Sequence, residues 1–150
     1  MTDTLELPDI IRAFLETQST MALATLNASG RPEVAPVFYI ADERLNLYWL
    51  SPANSRHSAN LRHSSRVAAS IYHAVWAWQD FAALQIEGAA TLITDDRLRE
   101  QMLVAYLRKF TVPAALDATI TSGLLYQLRP DWIRWLDNTV AIGYRAELRL

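Results

Sequence analysis

An α+β fold built on a small antiparallel β-barrel of about six strands is the architecture this sequence predicts. Three observations lead there. Short apolar runs recur between turn clusters from Thr20 to Leu50 and again from Arg66 to Leu150. Helical periodicity is confined to the start, to a short stretch after Leu50 and to a longer one after Thr94. No internal repeat or low-complexity segment interrupts the pattern. With 150 residues and 17.0 kDa the chain suits one domain, 1–150, and 51% hydrophobic against 20% charged residues supplies a core without inviting disorder.

The elements follow in order. Leu7, Ile10, Ile11, Phe14 and Leu15 recur at helical spacing, with Pro8 suited to a first turn, so an amphipathic helix opens the chain. Thr20 to Leu26 reads as a strand, Asn27 to Pro32 as a turn with Gly30 free to adopt positive φ, and Val34 to Ile40 as the returning strand of a hairpin. Ala41 to Arg44 turns the chain into a third strand, Leu45 to Leu50. A helix over Asn54 to His63 follows, capped by Asn54, and Arg66 to Tyr72 makes a fourth strand. Phe81 to Thr94 is a longer strand in which Gly88 marks a bulge or a close backbone approach. Thr94 or Asp95 caps a helix from Asp96 to Phe110, with Leu98, Met102, Ala105, Tyr106 and Phe110 on one face, and Pro113 lies beyond its end. A short helix and loop lead to Gly123. Two last strands are predicted, Leu124 to Leu136 and Val140 to Leu150, the first bent or placed at an edge by Pro130.

Composition removes several classes of function. A formal charge of -2, from 14 basic and 16 acidic residues, argues against binding to a nucleic-acid backbone. There is no cysteine, which excludes disulfides, thiolate metal sites and cysteine nucleophiles. Met1 to Glu6 lacks the basic start and apolar stretch of a secretion signal. The most apolar region, Ala74 to Ile93, is interrupted by Gln79, Asp80, Gln85 and Glu87, so a membrane span is not expected. The expectation is a soluble, cytoplasmic protein.

Chemistry concentrates at Ser51 to Leu61, where an aromatic strand turns through Pro52 into the short helix. The free N–H groups of a first helical turn, joined by the hydroxyl of Ser55 and the guanidinium of Arg56, make a cradle for an anion such as phosphate. His57 could donate to the same anion. The same residues also describe an ordinary capped surface helix with Arg56 in water. His57, His63 and His73 show no metal-ligand spacing with carboxylates, so no metal site is expected. Ser55 and Ser58 lack a nucleophile-elbow setting, which disfavours hydrolase chemistry. Gln85 and Glu87 share a strand face, and an amide buried there would bridge strands or read a heterocycle. Asp137 and Asn138 suit a turn better than a ligand contact. Five tryptophans fit core or interface packing, or walls for a flat aromatic ligand.

Taken together, several segments resemble the pyridoxamine 5'-phosphate oxidase-like, flavin-binding split-barrel family, in particular its small members of unassigned substrate. They are Met21 to Leu26, Gly30-Arg31-Pro32, Val34 to Tyr39, Leu47 to Ser51, Ser55-Arg56-His57 with Asn60-Leu61, Val67 to Ile71 and Leu84 to Ala90. The resemblance implies a six-stranded antiparallel split β-barrel with flanking helices, a homodimer, and FMN in a groove between the subunits. It implies that Ser51, Ser55 and Arg56 hold the phosphate, with His57 standing where a lysine is common. It implies that Pro36, Val37 and Phe38 run beside the flavin ring, that Gln85 lies on the strand before the family's glycine, and that Asn138 reaches the shared groove. An FMN-dependent oxidoreductase acting on a small molecule is the function it favours. F420 and haem are alternative cofactors, and a non-catalytic flavin- or haem-binding dimer, or a structural barrel, is the competing reading.

Overall fold

A computed structural model describes residues 5–150, so the reading of Met1 to Glu6 as lacking a secretion signal falls mostly on positions outside the described residues. Helix α1 (Leu7–Thr17) is followed by strands β1 (Thr20–Leu26), β2 (Pro32–Phe38), β3 (Ile40–Ala41) and β4 (Leu47–Ser51). Then come α2 (Arg56–Leu61), β5 (Arg66–Tyr72), β6 (Ala82–Leu92), α3 (Asp96–Lys109), α4 (Asp117–Thr121), β7 (Leu124–Asp137) and β8 (Arg145–Arg149). The strands form one antiparallel sheet in the order β2-β1-β5-β6-β7-β4-β3, with β8 added to β7. Because β3 follows β2 directly in the chain, the two ends of this order are covalently joined and the sheet curls into a split barrel. No described helix is long and apolar enough to cross a membrane.

Alternation explains which residues fill the barrel. Met21, Leu23 and Thr25 of β1 point inward, as do Leu84 and Ile86 of β6, while Gln85 and Glu87 point out. Trp49 is fully buried, and its ring stacks on Tyr126 at a centroid distance of 5.4 Å and an interplanar angle of 19°. Helix α1 closes one end with Ile11, Phe14 and Leu15, and the edge of Phe14 meets Trp135 at 4.9 Å. Lys109, at the end of α3, lies over the ring of Tyr39 and donates to the Tyr39 carbonyl at 3.0 Å. Tyr39 in turn donates its hydroxyl to Leu15 O at 2.7 Å.

Gly88 and Pro130 prove to be one feature. They face each other across β6 and β7 where the register shifts between Glu87 and Gly88, and a Cβ at Gly88 would lie 2.2 Å from Arg129 O. The bulge and the close approach predicted for Gly88 are both present, and the bulge is what admits a proline into a paired strand. Asp95 caps α3, its carboxylate accepting from Leu98 N at 2.7 Å.

Several boundaries differ from the sequence reading. The predicted strand Val34 to Ile40 divides at Tyr39, whose N–H still reaches Ser19 O at 3.1 Å while Ile40 and Ala41 pair with Tyr48 and Leu47. This division turns the seven strand runs read from the sequence into eight strands, against a barrel of about six. The last strand begins at Arg145 instead of Val140, because Asp137 and Asn138 bind the loop backbone through Thr139 N and Gly143 N. Helix α2 is shorter than predicted, and its cap is Ser55, not Asn54. A turn from Pro52 O to Ser55 N leaves Asn54 exposed and brings the serine hydroxyl to Ser58 N at 3.2 Å. The tryptophans also part company: Trp49 and Trp135 are buried, whereas Trp76 and Trp78 stand exposed on the segment between β5 and β6.

Candidate functional site

The hinge from β4 into α2 brings Ser51, Ser55, Arg56 and His57 against β1 and β2. A cavity of about 250 Å³ opens there, lined by Thr25, Glu33, Val34, Ala35, Ser55, Arg56 and His57. Ser51 lies beneath it, buried, with its Oγ 2.6 Å from His57 Nε2. The hydroxyl thereby fixes the imidazole. Burial pushes the His57 pKa below its ordinary value and so favours the neutral ring. The Ser55 hydroxyl accepts from Ser58 N and donates to Ser58 Oγ at 2.8 Å, completing the cap.

Glu33 is the residue that sequence reasoning missed. It occupies an inward phase of β2, opposite Thr25 of β1, and its side chain is only 16% exposed. Both oxygens are engaged: Oε2 forms an ion pair with Arg56, and Oε1 accepts from Asn60 Nδ2 at 2.8 Å. Buried Asn60 also donates to Thr25 Oγ1 at 2.9 Å, so one amide ties β1, β2 and α2 together. The signal was available in the alternation Glu33, Ala35, Val37, where a carboxylate stands in a core-facing phase and must find partners. The Arg56–Glu33 ion pair thus stands beside His57 at the cavity wall.

A second, larger space lies on the outer face of the sheet. About 700 Å³ is bounded by small residues of β1 and β5, namely Ala22, Ala24, Ala68 and Ser70, and by Gln85, Glu87, Trp132, Arg134, Glu147 and Arg149 of β6, β7 and β8. Arg134 holds Glu147 at 2.7 Å and lies over the Trp132 ring, whose Nε1 donates to the same carboxylate at 3.2 Å. These contacts hold the Glu147 carboxyl below its usual pKa. Val34 lines both spaces, so groove and cavity meet at β2.

The sequence-derived residues divide between these places. Ser55, Arg56 and His57 line the cavity, and Gln85 lines the groove. Gln85 is exposed, correcting the alternative of a buried bridging amide. Pro36 and Phe38 are exposed on β2, Phe38 resting on Phe110 at 5.1 Å, while the Val37 side chain is packed in the core; none of the three lines either space. Val34 and Ala35 line the cavity instead. Asn138 accepts from Gly143 N within its own turn and also donates to Trp78 O at 2.8 Å, tying that turn to the segment between β5 and β6, and it lines neither space. Among the described residues no group of three or more His, Cys, Asp or Glu side chains could hold a metal.

The outer groove thus joins a small polar cavity beside the hinge of a split barrel. The sequence profile of pyridoxamine 5'-phosphate oxidase matches residues 7–136, and the chain belongs to that family. A UPF0306 protein of Klebsiella pneumoniae is 25% identical over 116 residues, covering 77% of this chain and 75% of the relative. The crystal structure of the conserved hypothetical protein Rv2991 from Mycobacterium tuberculosis superposes with a TM-score of 0.78 at 17% identity, over 93% of this chain and 89% of that one. A heme binding protein from Mycobacterium smegmatis gives a TM-score of 0.79 at 20% identity, over 97% of this chain but 59% of that one. At these identities the structural likeness establishes the fold.

Proposed function

We propose that this protein is a homodimeric FMN-binding protein and a flavin-dependent oxidoreductase for a small molecule. The observation that carries the proposal is the junction at Val34 of the outer groove with the polar cavity, two spaces matched to the two parts of a flavin mononucleotide. The donor set fits that ligand in kind. Arg56, Ser55 and the imidazole of His57 would hold the phosphate, and the groove beside Gln85 and Trp132 would receive the ring. Bound flavin would supply hydride chemistry. The residues of this chain then have binding work: Ser51 orients His57, α2 positions Arg56, and the small side chains of β1 and β5 let a flat ring lie close to the sheet. The groove is open on its outer side, and a second copy of the chain over that face would exclude water from it.

The test is a visible spectrum of the purified protein followed by titration with FMN and riboflavin. FMN should bind more tightly than riboflavin; equal affinities would remove the phosphate from the cavity. Reduction of the bound flavin by NADH or NADPH in stopped flow marks an enzyme, and no reduction by either donor counts against turnover. A second reading, haem binding without turnover, is favoured by the likeness to the mycobacterial heme binding protein. Haem titration in the same spectrum separates the two, and F420 belongs in the same series.

A further inference from the structure

We infer that Glu33 is a built-in counter-anion of the cavity, which sets how strongly the site prefers a phosphorylated ligand over its unphosphorylated form. The inference rests on the flavin reading of the site and concerns a residue which that reading leaves unused. Glu33 does what an anionic ligand would do: it accepts from Arg56 with one oxygen and from buried Asn60 with the other. Arg56 is 83% exposed, so its guanidinium is held by the carboxylate and not by the surrounding fold. Asn60, in contrast, is fixed by Thr25 and buried, so the carboxylate has one rigid donor and one movable one.

This arrangement makes anion binding an exchange. A phosphate entering the cavity takes Arg56 from Glu33, and the Glu33 carboxylate stays behind on Asn60, close to the incoming charge. Among the described residues no arginine or lysine besides Arg56 lines the cavity, and His57 is held by Ser51 and shifted by burial toward its neutral form, so no second cationic side chain there offsets that repulsion. The result is a site that prefers FMN over riboflavin by less than it would without the Glu33 charge. A neutral amide at position 33 keeps an oxygen for Asn60 and removes the charge.

The experiment compares the dissociation constants of FMN and riboflavin for the wild-type protein, Glu33→Gln and Glu33→Ala, each with its melting temperature. Glu33→Gln should widen the preference for FMN over riboflavin by about tenfold, as expected for one charge removed from beside the phosphate. Riboflavin affinity itself should change little, and inorganic phosphate should compete with FMN more strongly in the variant. Glu33→Ala supplies the same comparison if the glutamine variant does not fold. A preference for FMN that is unchanged or reduced in the folded variants overturns the role of Glu33 while leaving flavin binding intact. If neither flavin binds wild type or variant, it is the flavin reading of the site that fails, and the inference fails with it.

Discussion

Replacing Gly88 by alanine tests the joint between β6 and β7, the longest strand pairing in the barrel. The added Cβ would sit 2.2 Å from Arg129 O and 3.0 Å from both Arg129 C and Pro130 Cα. All three atoms belong to backbone, so no side chain can turn aside. A carbon needs more than 3 Å from such an oxygen, so β7 must retreat by about 1 Å at the position where Pro130 already removes a ladder donor. Overpacking costs about 1–3 kcal/mol, and a weakened neighbouring ladder bond adds about 1 kcal/mol, giving about 3 kcal/mol in all. For a domain of this size each kcal/mol lowers the melting temperature by about 2–4 °C, so Gly88→Ala should melt about 6–12 °C below wild type. Differential scanning calorimetry and urea unfolding should agree on the loss. A variant that melts within about 1 °C of wild type would show that the two strands can part without penalty, and the reasoning would be refuted.

Other outcomes follow from the same contacts. Arg56→Ala should weaken FMN binding by about 1.5–3 kcal/mol with the fold intact, and an unchanged affinity in the titration would place the phosphate elsewhere. Trp49→Phe should cost less than about 2 kcal/mol in urea unfolding, because it removes a buried indole N–H that has no partner among the described residues, whereas Trp49→Ala should cost about 3–5 kcal/mol. Burial lowers the Lys109 pKa from 10.5 to about 8, so the unfolded chain binds more protons than the folded one between those values. Stability should therefore rise with pH from about 8 toward 10, until buried Tyr39, Tyr48 and Tyr106, whose pKa values are raised, begin to oppose it. In Lys109→Met the rise should vanish; a stability difference from wild type that stays constant with pH contradicts the assignment.

What could be read from the chain, and what could not, follows from the range of the forces involved. Strand alternation and cap chemistry act over a few residues, which is why β1, β5, an α3 cap at Thr94 or Asp95 and the irregularity at Gly88 were all legible, with Asp95 the one that caps. The flavin-barrel likeness, carried by ordered short segments, placed the architecture correctly. Where two adjacent residues could serve equally, as Asn54 and Ser55 could at the start of α2, the turn from Pro52 decided between them. The apolar pattern of Val140 and Ile142 suggested strand, yet both are exposed, because the loop is organised by the side chains of Asp137 and Asn138. Glu33 was hidden for a different reason. Its meaning depends on Thr25 lying opposite it and on Asn60 and Arg56 arriving from α2, and no local pattern announces a meeting of three elements.

Strand β2 is the edge of the sheet, and its two prolines bear on how the chain behaves at high concentration. The Tyr39 N–H points toward β1 and Arg31 O accepts from Asn27, so the odd-numbered positions face β1 and the even-numbered ones face outward. Pro32 and Pro36 therefore fall on the free side, where every donor is an invitation to another chain. Only Val34 and Phe38 can offer an N–H there, two residues on either side of Pro36. A foreign strand would find the row of bonds broken at every other outward position, and molecules crowded together during synthesis or refolding should resist zipping into β-aggregates along this margin.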